Sequence, residues 1–369
     1  MRLNTEVMCE EIIAVSGRER QEITLPAFTV DNIQLWSIEK PVLYTLTIET
    51  QTDDLIDRVG FRKVSVENGQ VTLNGKPVEI RGVNRHEEHP DFGFAFPLQR
   101  MKHDIDLIVD MGCNAIRGSH YPNSQAFLDF LDERGILFWS EIPIWGGGFP
   151  TEVLGDPDVV ERGLQMHKEM VKEYYNHPSV IFWGLHNEIW TAKQEAYDMS
   201  KVYYEYLKAN GGNRIVTYAS CNPNDDICLE FCDVISMNWY IGWYYNPEGG
   251  WVKFLEDYRN MVERAGQGHK PLIMSEFGAG AVFGHHTFDN IPWTEEYQAN
   301  LLRDCIKDYF DRPECIGALV WQYCDIRTAK EMTLNRARGY NNKGLVNEYR
   351  RPKMAYYAVK EAFEKVKNR

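Results

Sequence analysis

The sequence predicts a parallel (β/α)8 barrel preceded by a small, partial β-sandwich module. Three observations lead there. Apolar strand-like runs alternate with helical stretches from Val71 onward. Eight such β/α units over about 290 residues suit a closed barrel. Residues 1–62 keep a different rhythm, with short β-rich runs and no helical pattern between them.

The first module is assigned residues 1–64, with runs at Glu11–Val15, Gln21–Leu25, Leu43–Glu49 and Arg58–Val66. YTLTIET alternates polar and apolar positions, as a half-buried strand does. Such a module is short beside a complete sandwich of about 100 residues, so a partial immunoglobulin-like sandwich is expected. VTLNGKP reads as a hairpin turning on Asn-Gly. The barrel is assigned residues 65–369. Its predicted strands are Val78–His86, Ala115–Tyr121, Leu137–Pro143, Val180–Glu188, Ile215–Ser220, Val234–Tyr240, Leu272–Ala279 and Gly317–Asp325. PLQRMKHDIDLIVDMG and SQAFLDFLDERG read as helices ending on glycine. An open doubly wound sheet would want a glycine-rich phosphate loop after its first strand, and RGVNRHEEHP has none.

Composition excludes several function classes. Net charge is −14 and no basic run appears, which argues against nucleic acid. No run of 18 apolar residues is present, so no membrane-spanning helix is expected. MRLNTEVMCEEIIAV has acidic residues where a signal peptide carries basic ones. The cysteines are scattered, with only Cys228 and Cys232 paired in spacing. They read as free thiols in a reducing, cytoplasmic setting, without a metal or cofactor. The 10 Trp, 20 Tyr and 17 Phe suit either stacking on sugar faces or a large aromatic core.

In such a barrel, polar residues at the C-terminal ends of the strands face the active site. Here those ends supply Asn84, Arg85, His86 and Glu87; Arg117, His120 and Tyr121; Glu141; His186, Asn187 and Glu188; Asn238 and Tyr240; Glu276; Trp321 and Asp325. A charged group at the end of an apolar strand is costly to bury without a partner or a purpose. Glu188 ends strand four and Glu276 ends strand seven, roughly across the mouth. Glycoside hydrolysis needs two carboxyl groups flanking one C–O bond. One must hold a proton near neutral pH and the other must stay ionised. Arg117 and Tyr240 are candidate donors to Glu276, while a structural ion pair is the alternative for either glutamate. A metal cluster of His86, His120, His186, Glu87 and Glu141 is the weaker alternative for the strand ends.

The stretches LWSIEKPVLYTLTIE, LNGKPVEIRGVNRHE, AIRGSHYPNS, FLDERGILFWSEIP, NHPSVIFWGLHNE, ISMNWYIGWY, PLIMSEFGA and ALVWQYCD resemble glycoside hydrolase family 2. The resemblance spans nearly the whole chain. It implies a retaining exo-β-glycosidase, with Glu188 as acid/base and Glu276 as nucleophile. It further implies that Asn187 binds the sugar 2-hydroxyl and that Trp321 floors the sugar. His120, Asn238, Tyr240 and Tyr244 are implied substrate contacts, with Arg117 and Glu87 in support. Asn341-Asn342-Lys343 is similar to the Asn-x-Lys element by which β-glucuronidases hold a substrate carboxylate. This points to β-D-glucuronides, with β-galacturonides or β-galactosides as alternatives. β-Glucuronidases carry Arg four residues before that Asn; Ala337 stands there, flanked by Arg336 and Arg338. Family members also begin with a jelly roll and a full sandwich. The sequence therefore allows a fragment, a homo-oligomer, or a partner chain that completes the sandwich. A non-catalytic sugar-binding barrel is the reading from a different class.

Overall fold

A computed structural model of the chain describes residues 1–14, 17, 21–146, 151–328 and 336–369. The chain opens with β1 (Arg2–Leu3), β2 (Glu6–Val7), β3 (Tyr44–Glu49) and β4 (Asp54–Val59). These form one antiparallel sheet in the order β2-β1-β3-β4. The expected runs at 11–15 and 21–25 are not strands where they are described, and Val15 lies outside the described residues. Ile12 and Ile13 there stand exposed. Their composition favours a strand, but among the described residues no neighbouring strand offers a ladder or a face to bury them.

β5 (Val64–Glu67), β6 (Gln70–Leu73) and β7 (Lys76–Pro77) form a second small antiparallel sheet. The predicted Asn-Gly hairpin joins β6 to β7, with Asn74 at φ 55° and Gly75 at φ 76°. Both central residues of such a tight turn need positive φ, which Asn tolerates and Gly adopts freely.

The barrel follows: β8 (Ile80–Arg85), β9 (Ala115–Gly118), β10 (Leu137–Glu141), β11 (Val180–Asn187), β12 (Ile215–Ser220), β13 (Ile235–Asn238), β14 (Leu272–Glu276) and β15 (Cys315–Val320). They pair in parallel and close β15 onto β8. All eight predicted barrel strands are present. The helices are α1 (Leu98–Asp110), α2 (Gln125–Arg134), α3 (Thr151–Leu154), α4 (Pro157–Tyr174), α5 (Gln194–Asn210), α6 (Gly250–Arg264), α7 (Glu295–Phe310) and α8 (Met354–Lys367). α2 stops at Gly135, which takes the left-handed φ of 67°. A short pair, β16 (Ile326–Arg327) with β17 (Tyr340–Asn341), lies beyond the last barrel strand. Among the described residues no helix is long and apolar enough to cross a membrane.

Two apolar cores hold this arrangement. The larger fills the space between strands and helices, with Trp183 and Leu185 of β11 among its members. The smaller joins Ile80, Leu137, Phe182, Ile273 and Leu319 of the barrel to Val64, Val71 and Leu73 of the small sheet and to Trp36. Trp36 is fully buried and donates its indole N–H to Asp132 O at 2.8 Å. Arg58 reaches Asp129 and Glu133 on α2. The N-terminal segment is thus pinned to the barrel by one buried ring and a few polar ties. Trp36→Ala should cost about 3–5 kcal/mol, read as a shift of the urea unfolding curve. A loss under about 1 kcal/mol would mean that the ring does not anchor the segment.

Candidate active site

The site is built at the C-terminal ends of the barrel strands, and its centre is Arg117 on β9. This side chain is fully buried. Its Nε and Nη2 donate to the two oxygens of Glu141 at 2.9 and 2.8 Å. Nη1 donates to Asn84 Oδ1 at 2.9 Å and to Glu276 Oε1 at 2.8 Å. Nη2 also donates to Asn187 Oδ1 at 2.7 Å. One guanidinium therefore joins the ends of β8, β10, β11 and β14. Gly184 on β11 makes room for this: a Cβ there would sit 2.6 Å from Glu141 Cβ. Burial alone would raise the Glu141 carboxyl, but Arg117 and then His120 outweigh it and hold the group below its usual range.

Glu276, at the end of β14, accepts from Arg117 on one oxygen and from the Tyr240 hydroxyl on the other, at 2.7 Å. Glu188 follows β11 directly. Its φ of 50° is left-handed, a conformation costly for a residue with a side chain. Its N–H is tied to Ala219 O at 2.9 Å. Asn238 Nδ2 donates to Glu188 Oε1 at 3.0 Å and to Asn187 Oδ1 at 3.1 Å. The orientation of that amide is set by Ser275, whose hydroxyl donates to Asn238 Oδ1 at 2.7 Å. Burial, and then the charge of Glu276, push the Glu188 carboxyl up; the Asn238 bond pulls the other way. The two carboxyl groups thus stand in opposite environments. Glu276 sits among donors, and Glu188 is buried beside a negative charge.

Around them lies a partly lined cleft. His120 Nδ1 donates to Glu141 Oε1 at 2.7 Å, which leaves Nε2 3.8 Å from Glu276 Oε1. The imidazole stacks on Trp321 with ring centres 5.2 Å apart. Asn187 spends its carbonyl oxygen on Arg117 and Asn238, and among the described residues its buried Nδ2 has no partner. At the other side, Lys343 is only 1% exposed. Its Nζ donates to the Tyr244 hydroxyl at 2.8 Å and lies over the rings of Tyr244, Tyr240 and Trp243. Among the described residues no carboxylate pairs with it. Burial and then Arg336 push its ammonium well below the usual lysine range, while Glu276 acts against them. Arg336 Nη2 donates to the same Tyr244 hydroxyl at 2.9 Å, whereas Arg338 is paired with Glu348.

The model described as Glycosyl hydrolases family 2, TIM barrel domain, matches residues 64–368. The chain belongs to glycoside hydrolase family 2. A second model, Glycosyl hydrolases family 2, matches residues 4–62. Among solved family 2 structures, the β-galacturonidase from Eisenbergiella tayi bound to galacturonate is 36% identical, with a TM-score of 0.92. That alignment covers 99% of this chain and 65% of the other. The β-glucuronidase from Ruminococcus gnavus in complex with D-glucuronic acid is 28% identical, with a TM-score of 0.81, covering 90% of this chain and 58% of that one. In sequence, the β-glucuronidase of Streptococcus agalactiae is 29% identical over 90% of this chain and 58% of its own length. The human β-glucuronidase is 30% identical over 90% of this chain and 51% of its own length. This family 2 chain therefore spans half to three fifths of these curated relatives.

The structure gathers most of the residues expected in a family 2 site: Glu188, Glu276, Asn187, Asn238, Tyr240, His120, Trp321 and Arg117 at the strand ends, with Tyr244 and Lys343 beside them. Asn341 sits at the turn, where its Oδ1 accepts from Lys343 N at 3.3 Å. Glu87 is engaged elsewhere: it accepts from Ser124 N at 3.1 Å and stands 3.5 Å from Arg85. His186 points outward, with Nε2 2.8 Å from the Ser200 hydroxyl on α5. The strand ends also hold two residues to which sequence reasoning gives no part in the glycosidase site. Asn84 braces the fork of Arg117, and Glu141 neutralises it. Their place on the two strand ends that flank Arg117 on β9 is the signal that could have paired them. Trp243, against Lys343, carries no such signal.

A carboxyl held low in the folded state contributes stability above its unfolded pKa and loses it as pH falls through the folded value. Arg117→Met strips Glu141 of its main counter-charge. We expect a loss of about 3–5 kcal/mol at pH 7.5. The loss should shrink toward pH 5, where the freed, buried carboxyl takes up a proton. Thermal unfolding at both pH values is the check, and an equal loss at both would contradict this electrostatic account.

Proposed function

We propose that this chain is the catalytic part of a retaining exo-β-glycosidase that hydrolyses terminal β-D-uronides by double displacement. The observation that carries the reaction is the unequal pair at the barrel mouth. Glu276 is held by Arg117 and Tyr240, which suits a carboxylate nucleophile. Glu188 is pushed toward its protonated form, which suits a general acid. In the first step Glu188 gives its proton to the glycosidic oxygen while a Glu276 oxygen attacks the anomeric carbon. The C–O bond to the leaving group breaks and an ester to Glu276 forms. Glu188, now a carboxylate, then takes a proton from water as that water attacks the same carbon and frees Glu276. The unpartnered Nδ2 of Asn187 suits a bond to the sugar 2-hydroxyl, a contact that strengthens in the transition state. Trp321 and His120 offer ring faces beneath the sugar.

The uronide part rests on Lys343. A buried ammonium with one hydroxyl acceptor, next to a second cation, is a poor resting state and a good carboxylate receptor. Such a local positive site also offsets the repulsion expected from a net charge of −14. Arg336 takes the place of the arginine that is missing at position 337. Two sugars fit this description. The named curated relatives point to β-glucuronides, and the similarity to the Eisenbergiella tayi enzyme favours β-galacturonides. The free state of the eight cysteines supports a reducing, cytoplasmic setting.

A panel of p-nitrophenyl β-glycosides tests the assignment. Both uronides should exceed the galactoside, the glucoside and the mannoside; a galactoside turned over far faster than either uronide overturns the roles of Lys343 and Arg336. Proton NMR should show the β-anomer of the free sugar forming first, and a first-formed α-anomer rules out retention. Glu276→Gln should abolish turnover. The rate should fall on the alkaline side as Glu188 loses its proton. Glu188→Gln should remove that limb and cost about 10²–10⁴-fold, so an unchanged pH profile in this variant would assign the acid elsewhere.

A further inference from the structure

A buried lysine without a counter-charge tends to swing into water, since four rotatable bonds give it reach. Something must hold the backbone at Lys343. Behind it lies a second lysine, Lys353, at the entry to α8. Lys353 and Asp325 are both fully buried and meet at 2.8 Å. The three N–H groups of Lys353 are all spent, on Asp325 Oδ1, on Ala281 O at 2.8 Å and on Asn342 O at 3.0 Å. Asp325 Oδ1 in turn accepts from Gly344 N at 2.8 Å. The ion pair therefore grips the residue before Lys343 through its carbonyl and the residue after it through its N–H. Gly344 lets the strands of this clamp close: a Cβ there would lie 2.2 Å from Asp325 N. The cis peptide partner Gln322 adds a lateral bond, donating its N–H to Lys343 O at 3.1 Å.

Stability is a weak reason for such a pair. Replacing a buried ion pair by apolar groups of similar volume is often neutral or favourable. A fixed geometry is the better reason, because a misplacement of about 1 Å in a binding group can cost about 10²-fold. We propose that the Asp325–Lys353 pair is a positioning device that holds the Lys343 ammonium in the cleft and thereby sets selectivity for a carboxylate-bearing sugar. Neither residue is catalytic; both act through Lys343. The inference rests on the uronide reading of that lysine, and its test separates the two.

The readout is the ratio of kcat/KM for a p-nitrophenyl β-uronide to that for the matching neutral glycoside. Where turnover is too slow, calorimetric affinities for D-galacturonate or D-glucuronate against D-galactose give the same ratio. Asp325→Asn with Lys353→Met keeps the pair's volume and removes both charges. The ratio should fall at least about tenfold, chiefly through KM, and the same change in a Lys343→Met background should add nothing. If Lys343→Met alone leaves the ratio unchanged, the uronide reading fails. If Lys343→Met lowers the ratio but the pair variant lowers both substrates equally, or adds its full factor on top, the positioning role is overturned and the uronide reading stands. Should the pair variant not fold, Asp325→Asn alone, which keeps the side-chain shape, is judged by the same ratio.

Discussion

Arg117 makes five hydrogen bonds, to acceptors on four strand ends of the barrel mouth, two of them to Glu141. No other side chain could do this. A lysine has three donors on a flexible stem, whereas the guanidinium is flat, permanently charged and forked. Its fork fixes the separation of Glu141, Asn84, Glu276 and Asn187 from one another. Three of those residues then orient a further group. Glu141 turns His120, Asn84 ties its strand to Ser275 O and Leu319 O, and Asn187 shares its oxygen with Asn238. The positions of both glutamates thus follow from one cation that touches no solvent.

The same cation divides its charge unequally among the nearby carboxyl groups. Its charge is shared by Glu141 and Glu276, and Glu188 is left outside the fork with an amide donor only. Glu188, which lacks an arginine partner, is pushed upward by burial and then by the charge of Glu276. On the proposed mechanism, these unlike environments would give the two similar acids their different duties. The left-handed backbone at Glu188 belongs to the same design. It turns the residue off the strand axis, while its amide stays bonded to the next strand.

How much of this was legible depends on the physics behind each signal. Parallel strands buried on both faces read as apolar runs with polar ends, so VIFWGLHNE declared a strand and a site together. Alternation along a strand did not survive the bulge near the end of β11, so His186 looked inward-facing and points to Ser200 instead. Glu87 shows the same weakness, because a place just past a strand does not fix a side chain's direction. The runs near Ile12 had strand composition, yet strands are made by partners. Lys343 and Tyr244 meet across 99 positions, a contact no local period can reveal; family resemblance alone suggested it. The cis peptide bonds before His120 and Gln322 left no trace in the sequence.

One arrangement has a bearing on how such a barrel changes over time. On the proposed mechanism, the groups that would break the bond are braced by Arg117, whereas the lysine proposed to face the sugar carboxylate is braced by Asp325 and Lys353. The two groups meet at neighbouring tyrosines, Tyr240 on one side and Tyr244 on the other, with rings 5.2 Å apart, and Lys343 lies over both rings. If those proposed roles hold, substitutions in the loop after the last barrel strand would change sugar preference with less effect on the groups braced by Arg117. A lineage built this way can try new diets without first losing its chemistry.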